Sequence, residues 1–255
     1  MPRPTAYSRA LCGILRQRYY VNYKEIHTTG KLSAFVKYFW RYEHSGEDIE
    51  YTILPDACFD LVVDFENNEL ENIYLTGIWT QPIKLIVTKG ATLFGVRFKI
   101  IASEYILNQE IKSLLNSMTI LSRDYCNIHL AKSTEFEQFS ADLSERMTGI
   151  LNQQPEIDNR KLKLFNLIYS EQFQSVKELS EITGWSNRQI NRYFNQQFGF
   201  PLKTLLNIVR CNESYSNIVE GKLYPEREYT DQAHFIKEIK KYTENSPSQL
   251  YKNEN

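Results

Sequence analysis

Arg188, Asn191, Arg192 and Asn195 recur at i, i+3, i+4 and i+7, a spacing that gathers four side chains on one face of an α-helix. A guanidinium pairs two donors with guanine O6 and N7, and a carboxamide pairs bidentately with adenine N6 and N7. Such a face carries the chemistry to read base edges in a major groove. The plain alternative is a solvated face, the usual fate of polar helix residues. Solvated faces normally mix in acids, however, and Asn187 to Phe198 contains none. Base reading is the favoured account.

Other chemistries find less support. His27, His44, His129 and His234 show none of the H-x-H, H-x₃-H or H-E-x-x-H spacings of a metal site. Asp56, Asp60 and Asp64 recur every fourth residue around an expected strand, on one of its faces. A paired-carboxylate site is geometrically open there. Asp56 nevertheless follows Pro55 in a turn and Asp64 lies near a strand end, so solvated aspartates are expected. Cys58, flanked by apolar residues, reads as a buried thiol, and Cys12, Cys126 and Cys211 follow no redox or metal spacing. No Gly-rich phosphate loop and no G-x-S-x-G occurs. The chain gives no positive sign of an enzyme, a metal or a cofactor.

The helix bearing the Arg/Asn face is marked by its caps. Ser175-Val176-Lys177-Glu178 and Ser186-Asn187-Arg188-Gln189 are both S-x-x-E/Q capping boxes. Between them Leu179 and Ile182 offer a buried face, and Gly184 offers a C-cap able to take positive φ. A short helix, a Gly-containing turn and a second helix form the helix-turn-helix layout. Ile190, Phe194 and Phe198 then supply an inward stripe at i, i+4 and i+8.

The whole chain frames this unit. Its 255 residues suggest one large or two ordinary domains. With 42% hydrophobic and 13% aromatic residues it is neither disordered nor low-complexity. No apolar run reaches the roughly 18 residues of a membrane span, and the first residues lack the apolar core of a signal peptide, so a cytoplasmic location is expected. The balance of 30 Lys+Arg against 31 Asp+Glu conceals an asymmetry. Residues 1–159 hold 16 basic and 20 acidic residues, net −4, and residues 160–255 hold 14 and 11, net +3. So mild a positive charge predicts weak non-specific affinity for nucleic acid, leaving specificity to a few residues.

Period changes along the chain as well. Arg18–Ile26, Val36–Glu43, Ile49–Leu54, Phe59–Phe65, Ile83–Thr88 and Leu93–Phe98 read as strands, broken at Thr29-Gly30, Ser45-Gly46, Pro55-Asp56, Asn67-Asn68 and Lys89-Gly90. From Ser103 the pattern turns helical, with Phe136, Phe139, Leu143 and Met147 on one stripe. The expected class is α+β: a sandwich- or barrel-like β-rich domain with closing helices over residues 1–152, a linker at 153–159, and an all-α domain over 160–255. The aromatics Tyr19, Tyr20, Tyr23, Phe35, Tyr38, Phe39, Trp40 and Tyr42 read first as sandwich core and second as a small-molecule pocket.

Residues 160–252 resemble the double helix-turn-helix domain of the AraC/XylS family of transcriptional regulators. The likeness rests on Leu179-Ser180, Gly184-Trp185-Ser186, Arg188, Ile190, Arg192, Phe194, Phe198-Gly199-Phe200-Pro201 and Arg210, then on Tyr229 to Glu238 and Ser246-Pro247. The run from Leu54 to Val63 and Gly95-Val96-Arg97-Phe98 resemble, less closely, a sandwich domain often fused to such regulators. The resemblance implies two recognition helices entering adjacent major grooves of double-stranded DNA. By motif position Arg188, Asn191 and Arg192 would meet base edges, and Asn187 and Asn195 would lie nearer the phosphates. In the second subdomain Gln232, Ala233, Ile236 and Lys237 would form the reading face, with Ile236 divided between a thymine methyl and core packing. His234 is assigned to a phosphate or to packing at the helix start, and Arg210 to a structural role on the connecting helix. Further partners implied are promoter-bound RNA polymerase, a small-molecule effector and a second copy of the chain. The sequence departs from the family between Glu220 and Tyr229, where the link is short, Glu228 replaces a Gly, and Pro225 bars a helix interior. Asn245 replaces another Gly, which its tolerance of left-handed backbone permits. The rival account is therefore a protein-interaction module whose degraded second subdomain no longer binds DNA independently.

Overall fold

The computed structural model describes residues 21–154, 156–170, 175–225 and 229–254. Its strands are β1 (Val21–His27), β2 (Val36–His44), β3 (Ile49–Ile53), β4 (Cys58–Glu66), β5 (Glu69–Thr76), β6 (Ile83–Val87), β7 (Thr92–Lys99) and β8 (Met118–Ile120). Six form one antiparallel sheet in the order β1-β2-β7-β4-β5-β8, and β3 pairs with β6. Among the described residues no ladder closes the larger sheet on itself. The helices are α1 (Ala102–Tyr105), α2 (Phe136–Gln153), α3 (Asn159–Tyr169), α4 (Val176–Thr183), α5 (Asn187–Gln197), α6 (Leu202–Val219), α7 (Gln232–Thr243) and α8 (Pro247–Glu254). The mixed class matches the expectation, with seven of the described strands ahead of the first α-helix and β8 following α1. Two strands, β5 and β8, were not anticipated, and the expected residues 18–20 of β1, with Cys12, Tyr19 and Tyr20, lie outside the described residues. No described helix is long and apolar enough to cross a membrane.

Alternation explains the sheet's two faces. On β4, Phe59, Leu61, Val63 and Phe65 share one side with Phe94, Val96 and Phe98 of β7, all buried. Phe136, Phe139, Leu143 and Met147 of α2 are buried too, and the Phe94 ring lies 5.2 Å from Phe136 and 5.3 Å from Phe139. Asn67 and Asn68 turn the β4–β5 hairpin with φ of 51° and 68°, the left-handed pair that a two-residue turn between twisted strands requires. Phe35 and Phe39 are core, the first of the two readings given to the aromatics. Cys58 and Cys211 are sealed in, and burial pushes each thiol up to about 12.

The opposite face holds a buried ionic cluster where solvated aspartates were expected. Asp56 and Asp60 are each 8% exposed. Arg97 on β7 reaches Asp56 Oδ2 at 2.9 Å and Asp60 Oδ2 at 2.9 Å, and its Nε donates to Asp60 Oδ1 at 3.1 Å. Trp40 Nε1 donates to Asp60 Oδ1 at 2.9 Å, and Arg97 donates to the Tyr38 hydroxyl at 3.2 Å. Burial works against the guanidinium charge, but the Asp56 and Asp60 carboxylates outweigh it and hold Arg97 protonated. Only Asp64 keeps partial access to solvent. The expectation failed because the partner is on another strand, brought opposite Asp60 by the β4–β7 register.

Trp40 lies across Gly95, its partner on β7. A Cβ there would come within 2.0 Å of the indole. Gly95→Ala is expected to destabilise the chain by about 1–3 kcal/mol through overpacking, measured by urea denaturation. A change below 0.5 kcal/mol, on the order of a neutral surface substitution, would show that the indole moves freely.

A single buried cluster runs from Leu32 through Leu250. Sheet half and helical half are packed against each other. Tyr169, in α3, donates to Ala57 O at 2.7 Å and accepts from Ile100 N at 2.9 Å.

Candidate nucleic-acid interface

Two helices separated by a Gly-containing turn form as their caps dictate. Ser175 Oγ accepts the Glu178 N–H at 3.1 Å to start α4, and Gly184, at φ 64°, ends it in left-handed conformation. Ser186 and Gln189 exchange bonds at the start of α5, the reciprocal capping box. On α4, Leu179 is buried as expected but Ile182 is 37% exposed. Thr183 takes the inner position instead, its hydroxyl donating to Leu179 O at 2.7 Å.

Ile190, Phe194 and Phe198 are all buried, joined by Tyr193, which the sequence stripe omitted although it lies at i+3 from Ile190. Their rings cluster with Phe165 of α3, at 6.4 Å from Tyr193, 5.8 Å from Phe194 and 6.1 Å from Phe198. Packing that face inward turns Asn187, Arg188, Arg192 and Asn195 outward, and all four are exposed. Neither the Arg188 nor the Arg192 side chain makes a hydrogen bond or ion pair among the described residues.

Asn191 is placed differently from its neighbours. It is half-buried; its Nδ2 donates to Asn187 O at 3.0 Å and its Oδ1 accepts from Leu202 N at 3.2 Å. Leu202 opens α6, and its N–H is one of the orphan donors of a helix start. Asn191 thus ties α5 to α6. Asn195 Nδ2 donates to Asn191 O at 2.8 Å, along the same helix.

The second unit is built on α6, α7 and α8. Asp231 caps α7 by accepting the His234 N–H at 2.8 Å. Of the four expected reading residues, Ala233, Ile236 and Lys237 are exposed, Ile236 at 38%, so it does not join the core. Gln232 turns inward: its Nε2 donates to Leu223 O at 3.1 Å, and its Oε1 is buried without a hydrogen-bond partner among the described residues. His234 Nδ1 accepts from Thr230 N at 3.3 Å and its ring meets Tyr229 edge-on at 5.7 Å, a packing role at the helix start. Residues 220–225 and 229–231 are turn and coil, so among the described residues the second unit lacks the leading helix that the resemblance implies. The left-handed residue after α7 is Glu244, φ 61°, and not Asn245 as the motif suggested. Asn245 instead bonds Thr243 through its backbone and side-chain nitrogens.

The sheet half reaches α5 directly. Tyr193 Oη donates to Glu104 Oε2 at 2.9 Å, and Ile111 N donates to Gln197 O at 3.1 Å. No described group of three His, Cys, Asp or Glu is placed to hold a metal.

A family described as a domain of unknown function, DUF6597, matches residues 24–119, from within β1 to within β8. No curated protein matches the chain. Solved structures similar to it include ToxT from Vibrio cholerae. One, at 1.65 Å resolution, is 12% identical, covers 91% of this chain and 97% of its own, and has a TM-score of 0.40. A second, bound to (E)-4-(8-methylnaphthalen-1-yl)but-3-enoic acid, is 13% identical over 92% of this chain and 98% of its own, TM-score 0.41. A third, with unsaturated fatty acid bound, is 11% identical over 91% and 94%, TM-score 0.40.

Proposed function

We propose that this chain is a sequence-specific transcriptional regulator of the AraC type that binds double-stranded promoter DNA. The observation that carries the reading is the outward face of α5, where Arg188 and Arg192 stand exposed, unpaired among the described residues and free of acidic neighbours on their helix. Arg188 and Arg192 read base edges, Asn187 and Asn195 meet the backbone, and Asn191 holds α5 in register with α6. Ala233, Ile236 and Lys237 form the second contact, and Gln232, bonded to Leu223 O, supports the loop before α7. In this reading residues 1–152 form a sensing or dimerisation domain, 153–159 a linker and 160–255 the DNA-binding domain. The protein works in the cytoplasm without a cofactor or enzymatic activity. A small-molecule effector or a second copy adjusts occupancy, and RNA polymerase is met at the promoter.

The test is selection of bound genomic fragments by the purified chain, followed by titration of one selected duplex across a salt series. Neutralised phosphates make log affinity fall linearly with log salt, so a steep slope and a recurring sequence are expected. The second reading, an interaction module, is favoured by the inward turn of Gln232 and by the lack of a leading helix among the described residues before α7. Absence of salt-sensitive binding to any duplex would overturn the first reading and favour the second.

A further inference from the structure

Glu104 lies on α1, five residues beyond the end of β7, and its carboxylate joins the two halves. One oxygen ion-pairs with Lys161 of α3; the other accepts the Tyr193 hydroxyl of α5 at 2.9 Å. Lys161 Nζ also lies 4.5 Å from the centre of the Tyr193 ring and 5.8 Å from that of Tyr105. The carboxylate, the ammonium and two rings therefore enclose one another. At the far end of α5, Ile111 N satisfies the carbonyl of Gln197, one of the orphan acceptors of a helix end. Beside it Gly199, at φ 81°, faces Lys112 and Leu115, so that a Cβ would stand 3.3 Å from Lys112 Cβ. The sheet half grips α5 at its middle and at its end.

Tyr193 directly follows Arg192. With 3.6 residues per turn, fixing the direction of Tyr193 fixes where Arg192 points, and with it Arg188 one turn earlier. We propose that Glu104 is a positioning residue for the DNA-reading helix: through Tyr193 it sets the rotation of α5 and couples the sheet to the reading face. The inference rests on the DNA-binding reading above and names how that site is regulated. Docking orients the helix and does not mask it, because Arg188 and Arg192 remain exposed while the contact is made. Burial, reinforced by the Glu104 carboxylate, raises the Tyr193 phenol and keeps its proton in place as the donor.

The experiment uses the full chain, one selected duplex and a scrambled duplex of equal length. Tyr193→Phe removes a single oxygen from a buried ring and retains the packing of the cluster. It and Glu104→Ala are each expected to lower affinity for the selected duplex by about tenfold, the scale of a lost charge-assisted hydrogen bond. Affinity for the scrambled duplex and the salt slope stay unchanged. The double variant is no weaker than the weaker single variant, since both remove the same contact. Glu104→Gln, whose amide oxygen still accepts from Tyr193, retains most of the specific affinity. A fall in melting temperature with an unchanged ratio of specific to scrambled binding would reduce Glu104 to structural glue and overturn the proposal. Tighter binding by Glu104→Ala would overturn it too, as the mark of masking. Failure of the unaltered chain to bind any duplex with salt sensitivity is the separate result that removes the parent reading.

Discussion

Arg192→Ala is expected to cost about 1–3 kcal/mol of specific binding, a loss of roughly 5- to 150-fold, and to relax base preference at one position of the selected site. Lys237→Ala is expected to weaken selected and scrambled duplexes alike and to flatten the salt slope by about one unit. The difference follows from what each residue is and what surrounds it. Arg192 is a planar fork of donors projecting from a helix whose inner face is locked by Ile190, Tyr193 and Phe194. Lys237 is an exposed point charge on α7, and the carboxamide that would read a base beside it, Gln232, is committed to Leu223 O. Specificity should therefore be carried mainly by the first unit, with the second serving as a backbone contact. Titration of both variants at one fixed salt and across a series separates the two effects. Equal losses on the selected duplex, with equal slopes, would sink the assignment.

Asp60→Ala is expected to lower stability by about 3–5 kcal/mol, the cost of removing one partner from a buried ion pair. The loss strands three donors at once, Nε and Nη2 of Arg97 and the Trp40 indole N–H. It also leaves Arg97 with Asp56 as its remaining carboxylate partner in the cluster. Asp64 lies on the same strand and is the natural control. Burial, then Glu71 and Glu66, raise its carboxyl above the usual range. A raised acid destabilises the folded chain once it ionises, so Asp64→Asn should cost little at neutral pH. Urea denaturation of both variants at neutral pH gives the comparison. If Asp60→Ala falls within about 1 kcal/mol of Asp64→Asn, the range of surface changes, the cluster is relaxed by water and contributes nothing special.

What the sequence made legible was local. Caps depend on residues three apart, so Ser175, Gly184 and Ser186 marked α4 and α5 directly. Runs rich in Tyr, Val, Ile and Phe between turn-forming residues did the same for β2, β4 and β7. What stayed hidden was decided at a distance. The burial of Asp60 depends on Arg97, 37 positions away, and no local pattern announces it. Strand β5 was obscured by its acids Glu69 and Glu71, which sit exposed among the apolar residues of the ladder. On the outer face of α5, residue type and spacing grouped Arg188, Arg192 and Asn195, which all stand exposed. They could not show that Asn191 would be drawn off to Leu202, because the unsatisfied N–H belongs to the next helix. Gln232 shows the same logic: a polar side chain near a helix start serves whichever backbone group lacks a partner, and that is set by the course of the loop before it.

The bond from Ile111 N–H to Gln197 O has a consequence for measurement. Coupling between two sites is reciprocal: if the sheet half steadies the reading helix, a duplex held by that helix must steady the sheet half in return. The Ile111 amide sits at the seam, in the half that does not touch DNA under this reading. Its exchange with solvent deuterium should slow when the selected duplex is added and should be indifferent to a scrambled one. A single backbone proton would then report, from across the molecule, whether the right sequence has been found.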